Sequence, residues 1–245
     1  MTPDREQSGA ERVWILDIDG TLMPTESLDN RCYWQAVHDC VGGAPGTLSL
    51  ERFTHVTDSG ILDEWMRQRY GRPPLPAEVS AVRERFLQLL DDTFAREPES
   101  FTATPGLFDW IDRKLGATPE SIAIATGGWS HTALFKLRCA GLDRYALPLA
   151  TSDDCVSRTG IMETARSRLA GTDADAGPTT YIGDGLWDLA ASRELGWSFI
   201  GIARGSAADR LRAAGAESVL PDFHALTAQL ETRLVGIDPV AHATS

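Results

Sequence analysis

The stretch Val13-Trp14-Ile15-Leu16-Asp17-Ile18-Asp19-Gly20-Thr21 runs from apolar to polar within nine residues. Its first half reads as a buried strand, and its second half delivers two carboxylates into a glycine turn. Side chains alternate along a strand, so residues two apart point the same way. Asp17 and Asp19 therefore meet at the strand's carboxyl end, where their charges repel unless something offsets them. A bound divalent cation is the simplest offset.

Working outward, short apolar runs alternate with helical patterns from Thr104 onward. Ile122 to Ala125, Leu147 to Ala150, Thr180 to Ile182, Phe199 to Ile202 and Ser218 to Leu220 are candidate strands. Leu107 to Leu115, His131 to Ala140, Ile161 to Leu169 and Ala207 to Ala214 are candidate helices. This alternation predicts an α/β fold, a Rossmann-like parallel sheet in a three-layer α/β/α core, with ligands at the carboxyl ends of the strands. Between the first strand and this region the period is helical instead. Tyr33, Val37, Cys40 and Val41 share one face; Ile61, Leu62, Trp65 and Met66 another; Val79, Val82, Phe86, Leu89 and Leu90 a third. The expected division is a core of 13–21 with 104–236, a helical insertion of 22–103, and polar tails at 1–12 and 237–245. Gly42 to Gly46 and Gly71 to Pro76 read as interhelix loops.

With 245 residues, 42% of them hydrophobic, the chain can bury such a core beside a smaller unit. Its formal charge of -12 disfavours nucleic acid and anionic membranes as partners, because both require a basic patch. No run approaches the roughly 20 apolar residues of a membrane span. Cys32, Cys40, Cys139 and Cys155 form no CxxC pair, and the first residues do not resemble a secretion signal. These features lead to the expectation of a cytoplasmic protein.

The first segment resembles the DxDGT motif of the haloacid dehalogenase superfamily. Ile122-Ala-Ile-Ala-Thr126, followed by Gly127 and Gly128, is similar to its second motif, and Tyr181-Ile-Gly-Asp-Gly-Leu-Trp-Asp188 to its fourth. The three lie in the family's order and bracket most of the chain. The resemblance implies that the insertion is a helical cap over the catalytic core, hinged near Leu22 to Glu26 and Phe101 to Pro105. It also implies that Asp17 is a nucleophile forming an aspartyl-phosphate and that Asp19 acts as general acid, then base. An Asp at position 19 favours phosphate chemistry, since the family's dehalogenase branch does not use one there. Mg²⁺ would be held by Asp17, the backbone carbonyl of Asp19, and Asp184. Asp188 either supports the metal through water or caps its helix.

Thr126 and Gly127 would hold a phosphate oxygen. For the family's third-motif cation the chain departs from the usual Lys-Pro context, having only Lys114 and Lys136 as lysines. Arg158 matches best by position and can bind phosphate through two nitrogens; Lys136 and Arg166 are rivals. Specificity is expected from the cap, where Glu26 follows the first motif and Asp58-Ser59-Gly60 reads as a loop descending toward the core. The cap has no lysine, which argues against the superfamily's phosphonoacetaldehyde hydrolases, whose Schiff base needs one. Trp34, Trp65, Tyr33 and Phe53 read as cap core before substrate wall.

The reading is an Mg²⁺-dependent phosphatase, similar to the phosphoglycolate phosphatase branch, acting on a small phosphorylated metabolite such as a sugar phosphate, as a monomer or homodimer. The alternatives are a phosphosugar mutase of the β-phosphoglucomutase type and a non-catalytic protein that binds a phospho-ligand.

Overall fold

The computed structural model describes residues 12–43, 50–169 and 177–235. The expected tails, except Arg12 at the edge of the first, lie outside these residues, as does the loop beyond Gly43.

Six parallel strands make one sheet: β1 (Val13–Leu16), β2 (Ile122–Ala125), β3 (Leu149–Ala150), β4 (Thr179–Gly183), β5 (Ser198–Ile202) and β6 (Val219–Leu220), in the order β3-β2-β1-β4-β5-β6. The β1 strand lies at the middle, with Leu16 in register with Ile124 on one side and Ile182 on the other. All four of its residues are buried, as expected for a parallel strand covered on both faces. Alternation divides them. Trp14 and Leu16 join one apolar cluster, and Val13 and Ile15 the cluster on the opposite face.

Three helices follow β1 directly: α1 (Glu26–Val41), α2 (Asp58–Tyr70) and α3 (Pro76–Arg96). The sheet is then covered by α4 (Leu107–Ala117), α5 (Ser130–Cys139), α6 (Arg158–Ser167), α7 (Leu186–Glu194), α8 (Gly205–Ala213) and α9 (Phe223–Val235). Residues of α4, α5 and α9 pack on the Trp14 face; those of α6 and α7 pack on the Ile15 face. The fold is therefore α/β and Rossmann-like. Among the described residues no helix is long and apolar enough to cross a membrane.

Helices α1 to α3 enclose an apolar cluster of their own, built on Tyr33, Val37, Met66, Phe86 and Leu90, with Trp34, Trp65 and Phe53 in or against it. Trp129, from the loop after β2, is fully buried in that same cluster. The helical insertion is thus anchored to the sheet region by a shared aromatic side chain. The two chain crossings between them are tied together, since Thr104 donates its N–H to the Leu22 carbonyl and its hydroxyl to the Thr21 carbonyl.

Some boundaries differ from those read from sequence. Of Leu147 to Ala150 only Leu149–Ala150 is strand, and the helix expected from Ile161 begins at Arg158. α9 has no counterpart in the sequence reading, although Phe223, Leu226 and Leu230 recur at helical spacing and join the core cluster. Its buried Phe223 packs on Trp110, ring centroids 5.4 Å apart. Phe223→Ala is expected to lower unfolding free energy by about 3–5 kcal/mol, the usual cost of deleting a buried aromatic ring. Urea denaturation measures it, and a loss under about 1 kcal/mol would show that α9 contributes little to the core.

Candidate active site

At the end of β1, Asp17 stays in the ladder through its N–H to the Ile182 carbonyl, 2.9 Å. The chain then folds back, with the N–H groups of Thr21, Leu22 and Met23 converging on the Ile18 carbonyl. Gly20 makes this possible at φ +77°, and a Cβ there would fall 2.1 Å from Asp184 Oδ2. Only glycine fits both demands. Its N–H donates to the Met23 carbonyl, so the residue makes room for Asp184 and does not offer its own amide to a ligand. The Thr21 hydroxyl is buried without a hydrogen-bond partner.

Asp17 and Asp19 do leave the turn together, but they face different partners. The Asp17 carboxylate is 4% exposed, its Oδ1 has no hydrogen bond, and Arg158 Nη2 stands 3.6 Å away. Asp19 accepts from the Thr25 hydroxyl at 2.6 Å and from Lys136 Nζ at 2.5 Å. Lys136, fully buried on α5, also reaches Asp29 on α1 at 2.6 Å. Burial by itself would drive the Lys136 pKa down; Asp19 and Asp29 outweigh it and hold the ammonium charged. Asp29 in turn is pushed up to about 7, by burial first and by Asp19 second, with Lys136 opposing.

From β4, Asp184 and Asp188 complete the acidic group. A carboxylate oxygen from each of Asp17, Asp184 and Asp188 lies within 4.8 Å of the others. Asp188 is the third residue of α7; its Oδ2 accepts the Gly185 N–H at 3.0 Å, which is helix capping. Its Oδ1 accepts Arg158 Nε at 2.8 Å and Nη2 at 2.7 Å. Asp188 therefore caps its helix and braces Arg158 as well. Burial raises the pKa values of both Asp17 and Asp184 well above the carboxylate range; Asp188 adds to both, Asp19 adds to the rise of Asp17, and Asp17 to that of Asp184. Arg158 opposes the rise in both.

An oxygen-only donor set with one buried, unpartnered carboxylate oxygen is what a hard divalent cation such as Mg²⁺ requires. The residues fit that ion, with Asp17 and Asp184 the freest to hold it. The Asp19 carboxylate is turned away from this group, toward Lys136.

Arg158 Nη1, also buried, has no partner either. It points to the same cavity as Asp17, Thr126 and Gly127, of about 80 Å³. The Thr126 hydroxyl accepts the Gly128 N–H at 3.2 Å, and a Cβ on Gly127 would come within 2.9 Å of Arg158 Nη1. Of the rival cations, Lys136 is taken up by its two carboxylates, and Arg166 lies over the Trp197 ring, 5.9 Å away.

Asp58, Ser59 and Gly60 are not the loop expected from sequence but the first turn of α2, capped by the Thr57 hydroxyl on the Gly60 N–H. The cap pattern was hidden because Thr57-Asp58-Ser59-Gly60 is also a turn composition. Asp58 lines the cavity and accepts the Trp129 N–H at 2.8 Å, whereas Ser59 bonds Ser152 and Trp129. Gly60 packs so closely on His55 that a Cβ would collide with it at 2.7 Å. Glu26 opens α1 and lines the cavity with no hydrogen bond or ion pair among the described residues. Sequence reading missed Asp29 altogether. Its signal was the i, i+3, i+4, i+7 spacing of Glu26, Asp29, Asn30 and Tyr33, which puts all four on the cavity face of α1.

Comparison with known proteins comes down to structure. No family model matches the chain, and no curated protein matches it in sequence. Solved structures do match. A hydrolase from Pseudomonas syringae is 22% identical at TM-score 0.67, covering 91% of this chain and 99% of its own. A haloacid dehalogenase-type hydrolase of family IA, variant 3, from Entamoeba histolytica is 14% identical at TM-score 0.67, covering 92% and 100%. CbbY from Rhodobacter sphaeroides, solved in complex with phosphate, is 22% identical at TM-score 0.65, covering 89% and 96%. β-Phosphoglucomutase-like structures fall in the same group. The chain has the fold of haloacid dehalogenase-like hydrolases.

Burial, with Asp29 next, holds Asp58 well above the usual carboxylate range, against Lys136 and the Trp129 N–H. The folded state thus prefers Asp58 protonated, a preference that stabilises at low pH and is lost as pH rises past the unfolded carboxylate value. Asp58→Asn keeps an acceptor for Trp129 without that charge. Its melting temperature is expected to exceed that of wild type by more at pH 8 than at pH 5; an equal difference at both would remove the titration from the explanation.

Proposed function

We propose that this protein is an Mg²⁺-dependent phosphatase that hydrolyses a small phosphate monoester through an aspartyl-phosphate on Asp17. The observation that carries the reading is the pair of buried atoms without a hydrogen bond, Asp17 Oδ1 and Arg158 Nη1, facing one cavity beside Asp184. One wants a cation or an electrophile, the other an anion, and a phosphate ester with a divalent cation supplies both. Phosphate in the CbbY complex agrees with this choice.

In this mechanism Arg158, Thr126 and the Gly127 region hold the phosphoryl oxygens, with Arg158 kept in line by Asp188. Asp19 takes up a proton from solvent as the substrate binds; Asp17 then attacks phosphorus as the ester bond breaks, and Asp19 gives that proton to the leaving alkoxide. Asp19 then takes a proton from water as the hydroxide attacks the aspartyl-phosphate, returning free phosphate and Asp17. When bound, Mg²⁺ lowers the repulsion between the Asp17 carboxylate and the phosphate dianion. Both oxygens of Asp19 are engaged at rest, so it releases Thr25 or Lys136 to reach the leaving oxygen. The helical unit of α1 to α3 acts as the cap that shuts the cavity and faces the alcohol. A cavity of about 80 Å³ has room for on the order of six waters, which suits a compact metabolite. The protein works on that metabolite in the cytoplasm, as a monomer or homodimer, without nucleic acid or membrane.

The test is phosphate release from a panel of phosphorylated metabolites. Activity is expected with Mg²⁺, none with EDTA, and none in Asp17→Asn protein that keeps its melting temperature; chelator-resistant release would count against the metal. A mutase would instead isomerise a sugar phosphate with little phosphate freed. Lys136→Met should cut kcat/KM, which reports the transfer to Asp17, by about 10²–10⁴-fold on alkyl phosphates, the usual worth of a positioned acid or base. The loss should be smaller on p-nitrophenyl phosphate, whose leaving group needs no proton. Equal losses on the two substrates would make Lys136 merely structural.

A further inference from the structure

The cavity is lopsided in charge. Asp17, Asp19, Glu26, Asp29, Asp58 and Asp184 line it, and Arg158 is the one basic side chain among its described lining residues. Arg158 serves the phosphate side, bonded to Asp188 and close to Asp17. Lys136 lies behind Asp19 and Asp29 and is shared between them. What faces the alcohol, from α1 and α2, is Glu26, Asp29, Asn30, Tyr33 and Asp58.

No cation from the helical unit corrects this. Of its eight arginines, Arg67, Arg72, Arg83 and Arg85 are paired with Asp63, Glu78, Asp153 and Asp39, and Arg31, Arg52, Arg69 and Arg96 are exposed and away from the cavity. Residues 44–49, Ala-Pro-Gly-Thr-Leu-Ser, carry no charge in the sequence. At the outer mouth Arg210 faces Glu51 at 3.7 Å. A second anion on the substrate would find no free cation among the described lining residues, while a cation would find Glu26 without any other partner.

We propose that the substrate is a compact phosphate monoester whose leaving alcohol carries a protonated amine and no second anionic group, with Glu26 as the carboxylate that receives the amine. This rests on the phosphatase reading and narrows its substrate class to amino-alcohol or amino-sugar phosphates.

The test uses two sets of compounds of similar size whose leaving alcohols carry an amine, only hydroxyls, or a carboxylate. One is ethanolamine phosphate, 2-hydroxyethyl phosphate and 2-phosphoglycolate; the other is glucosamine 6-phosphate, glucose 6-phosphate and 6-phosphogluconate. In the set that fits the cavity, kcat/KM should fall from amine to hydroxyl to carboxylate by about tenfold or more at each step. Glu26→Gln should shrink the amine-to-hydroxyl ratio toward one. A carboxylate member turned over as fast as its hydroxyl partner, or an amine no better than the hydroxyl, overturns the proposal. p-Nitrophenyl phosphate runs alongside: if neither it nor any member is hydrolysed, the phosphatase reading fails. The charge order is then read by calorimetric binding of the same compounds to Asp17→Asn protein with Mg²⁺. The same amine-first order there supports the inference; no binding, or a carboxylate-first order, overturns it.

Discussion

Everything at this site follows from placing several carboxylates together where water is scarce. Two unit charges of like sign roughly 4 Å apart repel by about 4 kcal/mol at an effective dielectric near 20, and desolvation adds to that. The sheet bears this load because Arg158 is held among Asp17, Asp188 and the end of β4, and because Lys136 is held between Asp19 and Asp29. Each cation is buried, and each is compensated by more than one acid. The acids left over, Asp17 Oδ1 and Asp184 at the strand ends and Glu26 on α1, give the cavity its appetite for positive charge.

The same two cations divide the work. Arg158 sits on α6, and its bonds to Asp188 run within the sheet region. Lys136 sits on α5 and reaches across to α1, so its contact with Asp29 also joins the sheet region to the inserted helices. Other bonds span that boundary: Asp58 to Gly127 and Trp129, Thr57 to Val156, Ser59 to Ser152, and Arg83 to Asp153. Trp129 sits among the aromatic residues of α1 to α3, with Arg83 over its ring at 4.9 Å. The inserted helices thus meet the sheet region through polar groups, some of which also shape the cavity.

How far the site was legible depended on how local its signals were. Asp17, Asp19, Thr126 and Asp184 each follow an apolar run, and strand ends are visible as a change from apolar to polar. The central strand was readable because both its faces are buried, leaving a continuous apolar segment. α9 follows the last strand with Phe223, Leu226 and Leu230 at helical spacing, and only the fold shows that this face packs on Trp110. Asp58 to Gly60 looked like a loop because helix caps and turns use the same small polar residues. Asp29 was invisible as a site residue, being one acid in a helix with ordinary composition until Lys136 arrives from over a hundred residues away.

By itself, then, the sequence determined the α/β alternation, the place of the inserted helices, and the acids at the strand ends, because these depend on periodicity and on neighbours in the chain. Tertiary structure alone decided which cation serves which acid. It sent Arg158 to Asp188 and Asp17, gave Lys136 to Asp19 and Asp29, and left Glu26 facing the cavity unpaired. Charge pairing is set by distance in space and by burial, and neither can be read from spacing along the chain.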